Sequence, residues 1–131
     1  MVDTAVAEVI ETTVRAAGRD PLVLVRASYM EDAPGHEFMK PDAVVVVTDT
    51  AVVVCEVTTS GMFKKRTDAR AISTSEYGEI TESRAGTGGA GLKELQLLRD
   101  PLEVRLLDVY QDPNWDEMVA IVTARSAAGA P

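Results

Sequence analysis

The sequence predicts a mainly β domain of the α+β class: one helix, seven antiparallel strands and a closing helix. Three observations predict it. Apolar residues recur with a helical period before residue 18 and again after residue 112. Between those segments lie short runs rich in valine, isoleucine and leucine, bounded by Pro, Asp, Gly and Thr. The links between several of those runs are only a few residues long, and parallel strands would need long crossovers.

The first helix is expected over 3–18. Val6, Val9, Ile10, Thr13, Val14 and Ala17 form one stripe at i, i+3, i+4, i+7, i+8 and i+11. Asp3 or Thr4 can cap its start, and Gly18 suits its stop. Strands are expected at 21–30, 43–48, 51–58, 64–72, 76–83, 92–98 and 102–110. Asp49-Thr50 reads as a tight hairpin loop, with further turns at Thr58–Gly61 and Arg99–Pro101. The last helix carries Trp115, Met118, Val119 and Val122 on one face. Asn114 with Glu117 offers a capping box, and Asp112-Pro113 a competing start one turn earlier.

At 131 residues the chain is expected to form one domain, with a frayed tail over 127–131. No apolar run is long enough to span a bilayer, so stable membrane insertion is not expected. The acidic start lacks the early cations of a signal peptide, and the single Cys55 fits a reducing compartment, so a cytoplasmic location is expected. A net charge of -8 repels nucleic acid and favours basic partners.

Gly86–Gly91 matches the spacing G-x-G-x-x-G, and Asp108 lies where a dinucleotide fold keeps its ribose-binding acid. That fingerprint needs a buried strand before the first glycine and a long helix after it. Residues 76–84 offer only Tyr77 and Ile80 as large apolar groups, and Asp100-Pro101 stops any helix after about two turns. The segment therefore reads as a hairpin loop over 85–91, and no cofactor is expected.

Catalytic and metal groups are as scarce. His36 is the only histidine and lies in a polar loop between the first two strands, with no second one for a relay or metal pair. Cys55 follows three valines and has Glu56 rather than a cation beside it, so it reads as core. The basic row is more open. Lys64, Arg66 and Arg70 share one strand face, with Lys65 opposite, and form a candidate contact for an anion or an acidic partner. The alternative is an edge strand kept soluble by charge.

Val44–Val47 and Val52–Cys55 are apolar at every position, so both faces of that hairpin need a cover. Either the first helix folds back over its own sheet, or helix and hairpin pack on a second subunit. The short linker Arg19-Asp20 favours the second, so self-association is expected, a dimer being the first choice, through Val6, Val9, Val14, Val45 and Val53.

The run from Val44 to Ile80 resembles the bacterial pleckstrin-homology-like (PH-like) family. The matching features are the Thr48-Asp49 turn, Gly61-Met62-Phe63, the cations Lys64-Lys65-Arg66, and Ile72. The later strands, the glycine-rich hairpin and the helix near Trp115 follow in the same order, so the likeness spans about residues 21–126. It implies a seven-stranded, strongly bent barrel closed at one end by the C-terminal helix, with the N-terminal helix as an addition. It also implies a non-enzymatic interaction or assembly module, with an unknown protein partner. Eukaryotic members that bind phosphoinositides use basic residues in the loop between the first two strands. Here that loop carries Lys40 against Glu31, Asp32, Glu37 and Asp42, so the lipid site does not carry over. The alternatives are an acidic chaperone-like protein for a basic or secreted partner, and weak lipid or anion binding through the Lys64–Arg66 row.

The glycine segment is expected to be silent towards nucleotides. Calorimetry with NAD, NADP, ATP and GTP should give no saturable heat, and a saturable micromolar isotherm would restore the nucleotide reading.

Overall fold

A computed structural model of the chain describes residues 2–126. Its elements are α1 (Thr4–Ala16), β1 (Pro21–Ala33), β2 (His36–Thr48), β3 (Ala51–Ser60), β4 (Arg66–Glu76), β5 (Glu82–Thr87), β6 (Lys93–Arg99), β7 (Leu102–Leu107) and α2 (Trp115–Arg125). The strands form one antiparallel sheet in the order β4-β3-β2-β1-β7-β6-β5. The expected helix–seven strands–helix order is therefore present, in a PH-like arrangement. The expected tail over 127–131 lies outside the described residues.

β1 is the strand on which the sheet turns. It pairs with β2 from Pro21 to Ala33, and its second half, Ser28–Asp32, also pairs with β7. Val23, Val25, Ala27 and Tyr29 alternate inward. They join Val45, Val47, Val52 and Val54 from one side of the bend with Leu95, Leu97, Val104 and Leu106 from the other in one core. Trp115, Met118 and Val122 of α2 complete it. Arg99 at the end of β6 donates through Nη1 to the Thr74 carbonyl of β4, tying the two halves across the open edge.

The second face of the valine hairpin is covered by α1. Ile10 and Val14 pack on Val44, Val46, Ala51, Val53 and Cys55, with Val6 beside them. This corrects the expectation drawn from the short linker. The start of β1 lies beside the Asp49-Thr50 turn, so the helix has no distance to cross. The Asp20 amide donates to Asp49 Oδ1 at 2.9 Å, and Arg19 donates to Thr50 Oγ1 at 2.7 Å. Gly18, at φ 81, reverses the chain above that turn and lays the helix back over the outer face of the sheet, on residues of β2 and β3. Val14, Val45 and Val53 are thereby buried within the chain, Val45 in the main core and the other two at the helix–sheet contact. The apolar face that motivated self-association through these residues is already covered.

Several boundaries differ from expectation. The polar stretch after residue 30, expected to be a loop, continues β1 and β2 as a long hairpin arm. Its Pro34-Gly35 turn has Gly35 at φ 76. Both faces of that arm are largely exposed, so backbone pairing proceeds with no apolar alternation to signal it. Pro41 falls where the register shifts, a bulge that needs no amide donor. Residues 76–83 are not one strand. β4 ends at Glu76, Tyr77–Glu79 is a 3-10 turn, and β5 begins at Glu82. The Asn114–Glu117 capping box is absent. Asp112 Oδ1 accepts the Asn114 amide at 2.9 Å, and its Oδ2 accepts the Arg26 amide at 3.0 Å, fixing the start of α2 to β1.

Removing either cover should be costly. Trp115→Ala should lose about 3–5 kcal/mol, and Ile10→Ala about 2–5 kcal/mol, of a total on the order of 5–15 kcal/mol. Urea unfolding checks both, with half-buried Val9→Ala as the milder control. A midpoint unchanged in either large truncation would contradict the packing described.

Candidate interaction surface

Beyond Val44–Val47 and Val52–Cys55, β2 and β3 do not pair. The β1–β2 and β3–β4 hairpins continue from there as separate arms, which carry the most exposed large apolar side chains, Met39, Met62 and Phe63.

The β3–β4 arm ends at the pair Ser60↔Arg66. Its turn depends on Gly61, at φ 106, where a Cβ would sit 2.1 Å from the Lys64 carbonyl oxygen. No other residue fits that approach without moving backbone. The tight turn pushes Met62 and Phe63 outward, 91% and 98% exposed. Lys64 and Lys65 follow them, exposed and with no ion pair among the described residues.

The expected row of Lys64, Arg66 and Arg70 is thus not three free cations. Arg66 pairs with Asp68 at 3.1 Å, and Arg70 pairs with Glu56, which Lys40 also approaches at 3.6 Å. Lys64 lies in the turn rather than on the strand. The unpaired charge is therefore Lys64 and Lys65, next to the apolar pair. Glycine followed by two large apolar residues and three cations was the available signal, and reading only the cations missed its apolar half.

The β1–β2 arm has the opposite character. On its outer face Met30 lies opposite Met39, and Asp32 opposite Glu37, while Asp32 also faces Glu103 of β7. Met39 is 56% exposed. Three carboxylates thus stand side by side across β2, β1 and β7. Glu103 has Arg105 at 3.3 Å, whereas Asp32 and Glu37 have no ion pair among the described residues. Met30, Glu31, Asp32, Glu37, Phe38 and Met39 line a shallow cavity of about 310 Å³ on this arm. His36 is exposed as expected, but it opens β2 and touches Glu31 at 3.3 Å.

Arg26, Asp42, Asp108 and Asp112 are tied into the fold. Arg26 makes two 2.9 Å bonds to the Asp42 carboxylate and lies 3.9 Å over the Tyr110 ring. The Arg26 hydrogen bonds hold the Asp42 carboxyl below its usual range. Asp108 is buried and accepts the Asp112 amide at 2.9 Å, so it faces no ribose site. The glycine segment joins antiparallel β5 and β6 as expected, though β5 runs to Thr87 and shortens the loop. Only a three-residue turn, Gly89–Gly91, stands where a nucleotide fold needs its long helix. Burial pushes the Cys55 thiol up to about 11. Among the described residues no three His, Cys, Asp or Glu side chains are placed to hold a metal ion, and no helix is long and apolar enough to cross a membrane.

No family model and no curated protein matches the chain. Among solved structures it is similar to one described as Vav1 inhibited by an allosteric inhibitor, whose inhibitors block GEF activity. The TM-score is 0.53 at 9% identity, over 90% of this chain and 32% of that one. The chain thus spans about a third of that protein. At this identity the likeness concerns the fold, which agrees with the PH-like order of strands and closing helix.

Burial gives the protein a predictable alkaline limit. The Cys55 thiol rises from 9.0 to about 11, and the Tyr29 and Tyr77 hydroxyls from 10.0 to about 12, in each case chiefly through desolvation. The unfolded chain releases these protons first. The stability these three groups contribute should therefore be fully present below about pH 9 and be lost as pH rises through 11 to 12. Urea midpoints measured across that window check the sign. In the native protein at pH 8, Cys55 should stay silent to a thiol reagent and react only on unfolding.

Proposed function

We infer that the chain is a non-enzymatic PH-like interaction and assembly module, working through the ends of its hairpin arms. The observation that carries this reading is the near-complete exposure of Met62 and Phe63 beside unpaired Lys64 and Lys65. Burying a phenylalanine side chain is worth about 1.5–3 kcal/mol, so leaving one outward at a turn held by a required glycine disfavours the isolated protein unless a partner covers it. Two adjacent lysines add attraction for an acidic surface. The non-enzymatic reading rests on a lone, exposed His36 and a deeply buried Cys55, neither set among converging catalytic groups.

The partner on this reading is a protein. A second reading, weak binding of an anionic lipid or other anion, draws on the same lysines and apolar pair. The acidic chaperone-like alternative draws on the carboxylates of the β1–β2 arm.

A photo-crosslinking amino acid placed at 63, in cells, tests the module. Discrete protein adducts should form at 63 and not at 90, which lies in the exposed β5–β6 loop. They should disappear with Lys64→Glu/Lys65→Glu at unchanged melting temperature. Equal labelling at both positions would remove the basis for the reading, and adducts to lipid alone would favour the second one.

A further inference from the structure

We propose that the occupant of the β3–β4 tip is a second copy of this chain, docked head to tail, with the tip of one copy on the outer face of the β1–β2 arm of the next. This rests on the interaction-module reading and names its partner.

The tip needs a surface that is apolar at its centre and acidic around it. The chain carries such a surface itself. Met30 and Met39 form an adjacent apolar pair on the outer face of the β1–β2 arm, with Asp32 and Glu37 one pair further towards its end. Methionines adapt to an incoming shape and make favourable sulfur–aromatic contacts, so they suit Phe63. The cavity they line, about 310 Å³, has room for one aromatic side chain.

Charge points the same way. Asp32 faces Glu37 on one side and Glu103 on the other, and like charges directly opposite on neighbouring strands are destabilising. Of the three, only Glu103 has a cation beside it, Arg105, which it shares with Glu94. Lys64 and Lys65 from another copy would supply the two that are missing. The net charge of -8 opposes approach at long range. At physiological ionic strength that repulsion is screened beyond roughly 8 Å, while lysine–carboxylate contacts at the tip are not.

Tip and face are different patches, so the contact is heterologous and each added copy leaves one of each free. A hairpin tip buries far less than the roughly 1,200 Å² of a standard stable interface, so each contact should be weak, with Kd on the order of 100 μM.

Sedimentation equilibrium of the whole chain at physiological salt tests this. The wild type should associate with rising concentration beyond a dimer. Lys64→Glu/Lys65→Glu has an acidic tip and an acidic face, and Asp32→Lys/Glu37→Lys has a basic tip and a basic face. Each should be monomeric alone at an unchanged melting temperature. Mixed, they should co-assemble in alternation and, like the wild type, continue beyond a one-to-one complex, because the basic tip of one fits the acidic face of the other and the acidic tip fits the basic face. The quadruple variant carrying all four reversals should associate again.

A wild type that stays monomeric up to about ten times that Kd would overturn the proposal. So would a mixture that fails to pair, or single-patch variants that associate like the wild type. If the wild type is monomeric but binds phosphatidylserine–phosphatidylcholine vesicles, and loses them on Phe63→Ser, self-docking fails while the interaction-module reading stands with a membrane as its partner.

Discussion

Two-sided burial of the β2–β3 hairpin is the constraint on which the structure depends. Val45, Val47, Val52 and Val54 point into the bend of the sheet, and Val44, Val46, Val53 and Cys55 point out of it. Backbone pairing satisfies the hairpin's hydrogen bonds, but neither apolar face can be left to water. The core formed with β6, β7 and α2 takes one face, and α1 takes the other. The N-terminal helix is therefore part of the fold's stability, since it closes a second apolar cluster that the PH-like sheet alone would leave open.

That packing also positions the candidate surface. Where the valines end, so does the pairing of β2 with β3, and each strand keeps only its other neighbour. The two arms that result have little core to bury and are free to carry charge and exposed apolar groups. One ends in Met62, Phe63, Lys64 and Lys65, the other in Met30, Met39, Asp32 and Glu37. The overall acidity conceals this division. Ion pairs neutralise Arg66 and Arg70 locally, while the two lysines at the turn remain unpaired.

Legibility varied with the kind of signal. The α1 stripe, the valine runs and the Trp115 face were readable because burial imposes a period on the sequence. The β1–β2 arm was not, because a strand exposed on both faces leaves no such period, and Pro and Gly within it imitate a loop. The mistaken reading of the helix linker had a different cause. Its length was correctly seen as short, but only the pairing of β1 with β2 places Asp20 beside Asp49, so that there is no gap for the linker to span.

By itself, the sequence determined the class, the order of elements, the need to cover both faces of one hairpin, and the lack of a nucleotide fold around the glycines. These follow from local periodicity and from residue types whose backbone preferences hold in any context. Tertiary structure alone decided what covers the second valine face, which cations stay unpaired, and which acids stand opposite one another across three strands. Those are relations between residues far apart in the chain. Strand register sets them, and no short stretch of sequence contains it.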